Sequence, residues 1–148
     1  MKRVKSKVFH TASASETQKF AEGFSRRFSH GVIALSGDLG AGKTTFAQGF
    51  ARGLGIRRRM TSPTFIFIRR YKIQDTRNKR RCFYHIDAYR ARSAKDLASL
   101  QLKEVFVDLR NVVLVEWAEN VKRFLPKNTL WITMKHGEKE NERTIVIE

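Results

Sequence analysis

One segment constrains the fold more than any other, because residues 37–45 read Gly-Asp-Leu-Gly-Ala-Gly-Lys-Thr-Thr. Residues 37–44 fit the pattern G-x-x-x-x-G-K-[ST], in which glycines let successive backbone N–H groups turn toward a phosphate. An apolar run, residues 32–35, precedes the segment, and a helical pattern begins near Lys43. A strand, a glycine-rich loop and a helix in this order predict a phosphate site at the positive end of the helix. The glycine spacing does not fit G-x-G-x-x-G, which disfavours a dinucleotide fold.

We expect the whole loop to line this site. Lys43 is expected to reach the β- and γ-phosphates as a point charge, and the Thr44 hydroxyl to be a ligand of Mg²⁺. The phosphate-binding residues predicted from the pattern are Gly37, Asp38, Leu39, Gly40, Ala41, Gly42, Lys43, Thr44 and Thr45.

A phosphate-loop enzyme also needs an acidic group at the end of a buried strand near its metal. Residues 112–115 are an unbroken apolar run, typical of a strand buried on both faces, and Glu116 follows them directly. Glu116 could hold the metal through water or polarise the attacking water. Trp117 could form a wall of the site or simply pack against it.

A third cluster, His85-x-Asp87-x-Tyr89-Arg90, ends another predicted strand. His85 and Asp87 alternate along that strand, so they share one of its faces. We expect Asp87 to be a metal or water ligand, whereas a lone histidine is more often a satisfied structural residue. Residues 62–64, Ser-Pro-Thr, are either a loop that senses the γ-phosphate or a turn that enters a strand.

Strand and helix patterns alternate along the chain, which favours an α/β fold. The predicted strands are residues 7–10, 32–35, 64–73, 82–87, 112–115, 129–135 and 143–147. The predicted helices are residues 13–29, 43–54, 93–102 and 119–125. We therefore predict a single P-loop NTPase-like domain over residues 1–148, with a mixed sheet whose centre is parallel and whose faces carry helices.

Charge is the unusual feature of the composition. The chain has 30 lysines and arginines against 14 acidic residues, a formal net charge of +16. Basic runs occupy residues 57–59, 69–70 and 77–81. If these runs share a face, they form a basic patch that could bind RNA phosphates; otherwise they are a solvated basic surface.

The rest of the composition indicates the cellular compartment in which we expect the protein. The single cysteine, Cys82, excludes an internal disulfide and a multi-cysteine zinc site, and it favours a reducing compartment. No apolar stretch has the length of a signal peptide or a membrane span, so we expect a cytoplasmic protein without membrane contact.

Four clusters, residues 37–45, 62–65, 85–90 and 115–119, together resemble the TsaE (YjeE) family, small P-loop ATPases of bacterial tRNA threonylcarbamoyladenosine synthesis. The likeness runs over nearly the whole chain. It implies that the protein binds ATP with Mg²⁺, hydrolyses it weakly alone and acts with TsaB-like and TsaD-like partners. The TsaD-like partner would transfer a threonylcarbamoyl group to the adenosine 3′ to the anticodon of tRNA, and ATP turnover would reset the complex between cycles.

The resemblance also implies roles for single residues. Thr44 and Glu116 would hold Mg²⁺, and Asp87 would assist hydrolysis. Trp117 and Thr11 would lie near the bound ATP. The residues with an implied catalytic role are Lys43, Asp87 and Glu116.

The chain departs from the family at Phe65, where tyrosine is frequent, and at Gln101, where glycine is expected. Its net charge is also higher than the family leads us to expect. Two alternative functions stay open from the residues alone. One is a small-molecule or nucleoside kinase, and the other is an RNA-binding module with an inert nucleotide site.

Overall fold

The structure, a computed structural model, describes residues 5–58, 68–74, 81–91 and 102–148. Its strands are β1 (Lys7–Thr11), β2 (Gly31–Ser36), β3 (Ile68–Ile73), β4 (Arg81–Asp87), β5 (Asn111–Glu116), β6 (Leu130–His136) and β7 (Arg143–Ile147). Its helices are α1 (Ala14–Arg27), α2 (Lys43–Gly53), α3 (Leu102–Val107) and a 3₁₀ helix over Ala118–Phe124. The loop 62–64, the basic residues 77–80, Phe65, Gln101 and nearly all of the predicted helix 93–102 lie outside the described residues.

The described strands form one mixed sheet in the order β1-β7-β6-β2-β5-β4-β3. The strands β6, β2, β5 and β4 pair in parallel, and antiparallel pairs close the sheet on both sides. The predicted α/β fold with a parallel centre is therefore confirmed. Because the parallel strands all finish at the same edge, the phosphate loop after β2 lies beside the ends of β4 and β5. We call this edge the nucleotide end.

Helices α1 and α2 cover one face of the sheet. Ser13 caps α1 by accepting a hydrogen bond from the Glu16 N–H at 3.1 Å, as the sequence predicts. Gly49 of α2 lies so close to α1 that a Cβ there would sit 2.6 Å from Gln18 Cα. The two helices therefore pack backbone against backbone, and the phenylalanines of both, such as Phe46, fill the space above the sheet.

The other face of the sheet is covered by α3 and the 3₁₀ helix. Leu102 and Val121 from these elements pack with Val113 and Val115 of β5. Residues 112–115 are thus buried on both faces, which explains why they show no polar alternation. Among the described residues, no helix is long and apolar enough to cross a membrane.

Two predicted helices differ in detail from the structure. α1 ends at Arg27 rather than Ser29, since the Phe28 N–H bonds to the Ser25 carbonyl and the chain then turns into β2. The predicted helix 119–125 is a 3₁₀ helix from Ala118, broken at Val121, whose φ is −129°. A segment this short has few helical hydrogen bonds, so its packing against β5 decides its geometry.

Candidate functional site

The phosphate loop is shaped by glycines at positions where a side chain does not fit. Gly37 has φ +142°, and a Cβ there would overlap the Met134 carbonyl oxygen of β6. Gly42 has φ +98° and is the N-cap of α2. The loop therefore turns sharply from β2 into α2 in a conformation that other residues rarely adopt.

The N-terminus of α2 is arranged for an anion. Gly42 offers no side chain to cap the helix, and the first turn contains no acidic residue. The N–H groups of a first helical turn have no partner within the helix, and the helix dipole is positive there. A phosphate oxygen would complete this end of α2.

Lys43 lies inside the curve of the loop. It is buried, and its Nζ donates hydrogen bonds to the carbonyl oxygens of Gly37 and, at 2.8 Å, of Asp38. Burial lowers the pKa of Lys43, although the carboxylates of Glu119, Glu116 and others raise it. The ammonium is thus held by backbone carbonyls inside the loop, where a phosphate bound in the loop could take their place as its partner.

The other loop residues differ in exposure, and two side chains of the β6–β7 hairpin contact their carbonyl groups. Ala41 is buried, whereas Leu39 is 76% exposed at the tip of the loop. Arg143 Nη2 donates a 3.0 Å hydrogen bond to the Gly40 carbonyl, and His136 Nε2 lies 3.3 Å from the Leu39 carbonyl oxygen. The hairpin of β6 and β7 therefore holds the outer side of the loop.

Glu116 connects the loop to the neighbouring strands. The Thr44 hydroxyl donates a 2.9 Å hydrogen bond to Glu116 Oε1, and His85 Nε2 bonds to Glu116 Oε2. His85 and Glu116 are each only 1% exposed. His85 thus has a hydrogen-bond partner, as expected of a structural histidine, but the sequence did not indicate that this partner is Glu116. Its alternation with Asp87 along β4 was the available signal, but its contact with Glu116 depends on β4 pairing with β5.

Thr44 and Glu116 together form a suitable donor set for Mg²⁺. The hydroxyl and the carboxylate oxygens are hard ligands, and they converge beside the loop that would hold the phosphates. Mg²⁺ in proteins is typically held by one or two such side chains, with waters and substrate phosphates completing its coordination. The residues present therefore fit the ion that the sequence predicts.

Asp87 lies opposite Glu116 in the parallel register of β4 and β5. Its Oδ1 accepts the Tyr89 N–H at 2.9 Å. Burial raises the pKa of Asp87, and the Tyr89 hydrogen bond acts in the opposite sense. A carboxylate with a raised pKa is a better proton acceptor at neutral pH.

Trp117 forms a wall of the site. Its ring centroid lies 3.9 Å from Lys43 Nζ and 4.8 Å from the ring centroid of Tyr89. It is the one non-glycine residue of the described chain with positive φ, +56°, a conformation that costs about 1–3 kcal/mol. Asn120 Nδ2 donates to the Ala88 carbonyl at 3.0 Å, which ties the strained turn to the end of β4. The sequence contained no signal for this role of Asn120.

Thr11 lies at the end of β1, beside a groove of about 700 Å³. Glu16, His136 and Arg143 also line this groove, which therefore adjoins the phosphate loop. The Thr11 hydroxyl is buried and shares a 2.7 Å hydrogen bond with the Thr17 hydroxyl. Thr11 thus lines the same groove as two residues that contact the loop, with its side chain engaged by α1.

Comparisons with known proteins agree with this arrangement. The family model for "Threonylcarbamoyl adenosine biosynthesis protein TsaE" matches residues 11–145. A tRNA threonylcarbamoyladenosine biosynthesis protein TsaE from Bacillus subtilis is 44% identical over 114 residues, which are 76% of this chain and 67% of the relative. One from Treponema pallidum is 36% identical over 124 residues, 83% of this chain and 87% of the relative.

The fold agrees as well. The crystal structure of Bacillus subtilis YdiB matches this structure with a TM-score of 0.77 at 35% identity, covering 99% of this chain and 87% of that one. The residues matched by the family model include the phosphate loop, His85, Asp87 and Glu116. The resemblance of the four sequence clusters is therefore confirmed, and the chain belongs to the TsaE family of threonylcarbamoyl adenosine biosynthesis proteins.

Proposed function

We propose that the protein binds ATP with Mg²⁺ and hydrolyses it in the threonylcarbamoyl modification of tRNA. The observation that carries this proposal is the buried chain of contacts from Thr44 through Glu116 to His85, next to Lys43. A lysine beside the phosphates, with a hydroxyl and a carboxylate placed to hold Mg²⁺, is the set of groups that phosphate-loop hydrolysis uses. Membership in the TsaE family supports the tRNA pathway.

The geometry suggests how each group acts. The loop amides and Lys43 would neutralise the β- and γ-phosphates, whose negative charge is otherwise the main barrier to attack. Thr44 and Glu116 would hold Mg²⁺, which supplies further charge neutralisation when bound. Asp87 would orient the attacking water from the end of β4, because it lies beside Glu116 and its pKa is raised. Trp117 would exclude bulk water from Lys43.

Membership in the family also supports a proposal about partners. We propose that a TsaB-like and a TsaD-like protein assemble with this chain in the cytoplasm, where the tRNA is modified. The second partner transfers the threonylcarbamoyl group to the adenosine 3′ to the anticodon. Hydrolysis of ATP by this chain resets the complex, so turnover should be slow alone and faster in the complex.

The test is ATP hydrolysis by the chain alone and with both partners, with Lys43→Ala as the control. We expect low turnover alone, stimulation by the partners and loss in the variant. The amount of inorganic phosphate released should equal the amount of ATP consumed. Transfer to a small acceptor would identify a kinase instead, and pathway function that survives Lys43→Ala would leave the nucleotide site without a role.

A further inference from the structure

The end of the sheet opposite the nucleotide end is basic. α1 and α2 run away from the nucleotide end, and β4 begins where they finish. We define the arginine end by the side chains at these positions, which are Arg26, Arg27, Arg52, Arg57, Arg58 and Arg81. Arg81 is half-buried and the others are exposed or partly exposed.

Direct contacts bring these elements together. A groove of about 290 Å³ is lined by Arg26 of α1, by Gly53 and Leu54 at the end of α2, and by Arg81 of β4. Arg81 also donates a hydrogen bond to the Ser29 carbonyl, just before β2. The arginines therefore belong to one surface rather than to separate parts of the chain.

Arg57 and Arg58 are held at the same end. The chain leaves α2 through Gly55, which has φ +80°, and Ile56 is then buried in the core. Ile56 N bonds to the Ala51 carbonyl, so this turn folds back on the helix. Both arginines follow immediately and are exposed.

The arginine end has few opposing charges. Glu22 pairs with Arg26 in an exposed i, i+4 ion pair, a type that contributes little to stability and competes weakly with a phosphate. Asp108, in the turn before β5 at the same end, pairs with Arg110, and Glu148 after β7 lines a groove together with Arg27. Other acidic side chains lie at the nucleotide end and on the adjoining hairpin: Asp38, Asp87, Glu116, Glu119, Glu138 and Glu140. The exposed arginines outnumber the carboxylates at their own end, so an extended polyanion would be attracted to the arginine end.

The surface differs from the one suggested by the basic runs of the sequence. Arg69 and Arg70 are consecutive residues of β3, so their side chains leave opposite faces of the sheet. Residues 77–80 lie outside the described residues. The fold instead brings Arg57, Arg58 and Arg81 of these runs to the same end of the sheet as the last turns of α1 and α2.

We propose that the arginine end binds RNA phosphates and so contacts the tRNA directly. All six defining side chains are arginines, whose guanidinium groups can bind phosphate oxygens in pairs. The inference rests on the proposed function for the identity of the RNA. The six residues of β2 separate this end from the phosphate loop by about 20 Å, so RNA bound here would not touch bound ATP.

The test measures binding of a labelled, unmodified tRNA transcript that reads a codon beginning with A. Fluorescence anisotropy gives the dissociation constant for the full chain across a series of KCl concentrations from low to high salt. The test variant is Arg57→Gln/Arg58→Gln. The control is Lys135→Gln/Lys139→Gln, which removes the same charge from exposed residues at the other end.

We expect the arginine variant to bind about tenfold more weakly at moderate salt, with a salt slope lower by about 2, roughly one for each lost phosphate contact. The lysine control should bind as the unaltered chain does. The arginine variant should hydrolyse ATP at the unaltered rate, which separates this proposal from the proposed function.

Three results would overturn the proposal. The first is that the unaltered chain shows no salt-dependent binding of tRNA. The second is that both variants lose the same amount of tRNA affinity, which would indicate that net charge alone drives the binding. The third is unchanged tRNA binding in the arginine variant with weakened binding to the TsaB-like or TsaD-like protein. That outcome would assign the arginine end to an acidic protein surface.

Discussion

Glu116 is the residue that organises the candidate site, because both of its carboxylate oxygens have partners. Oε1 accepts from Thr44 and Oε2 contacts His85, and the side chain is almost completely removed from water. Two fixed partners hold a carboxylate in one orientation. The oxygen nearer the phosphate loop is therefore directed to the expected metal position before any ligand binds.

His85 should act as a positioning residue for Glu116. In His85→Leu, Glu116 Oε2 loses its partner, and the Mg²⁺ concentration needed for half-maximal ATP hydrolysis should rise about 10- to 100-fold. His85→Gln keeps a donor near the position of Nε2 and should recover most of the Mg²⁺ affinity. Affinity for a fluorescent ATP analogue in EDTA should be the same in both variants. Equal Mg²⁺ dependence in the leucine and glutamine variants would contradict this role.

Asp87 should make the ligand-free protein less stable at neutral pH than at lower pH. Burial raises its pKa above 3.8, so folding disfavours the ionised form, and stability falls as the pH rises from 3.8 through the raised pKa. Asp87→Asn keeps the oxygen that accepts the Tyr89 N–H and removes the charge. We expect a higher Tm than the unaltered chain at neutral pH, with the difference shrinking as the pH falls toward 3.8. A difference independent of pH would refute this explanation.

Among the elements, α1 and α2 form the pair whose packing positions the phosphate loop. α2 begins at Lys43, so any displacement of the helix moves the groups that bind phosphate. Glycines inside a helix suggest close packing against a neighbouring backbone, and at Gly49 and Gly53 of α2 that backbone belongs to α1. Only the structure shows which backbone this is, because helix pairing is a non-local contact that a local sequence pattern does not specify.

Gly49→Ala should destabilise the protein by about 1–3 kcal/mol, because the new methyl group would push α1 and α2 apart. Gly23→Ala is the matched control. Gly23 lies inside α1, and a methyl group added there would meet nothing within 4 Å, so alanine should stabilise the helix by up to about 1 kcal/mol. Urea denaturation of both variants measures the free energy of unfolding. Similar values for the two would contradict the close helix contact.

At the scale of the whole molecule, the parts that could be predicted were those encoded locally. The phosphate loop, the buried run that ends in Glu116 and the closing hairpin each have a short pattern that specifies their geometry. The contact between His85 and Glu116 could not be predicted, because β4 and β5 are far apart in sequence and only their pairing brings these residues together. The left-handed conformation of Trp117 has no sequence signature, since it is imposed by the turn between β5 and the 3₁₀ helix.

The two candidate surfaces lie at opposite ends of the molecule. Glu116 and Asp87 lie beside the phosphate loop, at the carboxyl ends of the parallel strands. The arginine end lies at the opposite ends of these strands. Hydrolysis and RNA contact would thus occupy different surfaces of one small chain. At the nucleotide end, the main prediction is that Glu116 holds the Mg²⁺ that hydrolysis requires.

The most direct test compares Glu116→Gln with the unaltered chain over a range of Mg²⁺ concentrations. Glutamine preserves the size of the side chain and removes its charge. We predict that Mg²⁺-dependent ATP hydrolysis falls by about a hundredfold, whereas the affinity for a fluorescent ATP analogue in EDTA stays within about threefold. Turnover at the unaltered rate, with the unaltered Mg²⁺ dependence, would contradict the account.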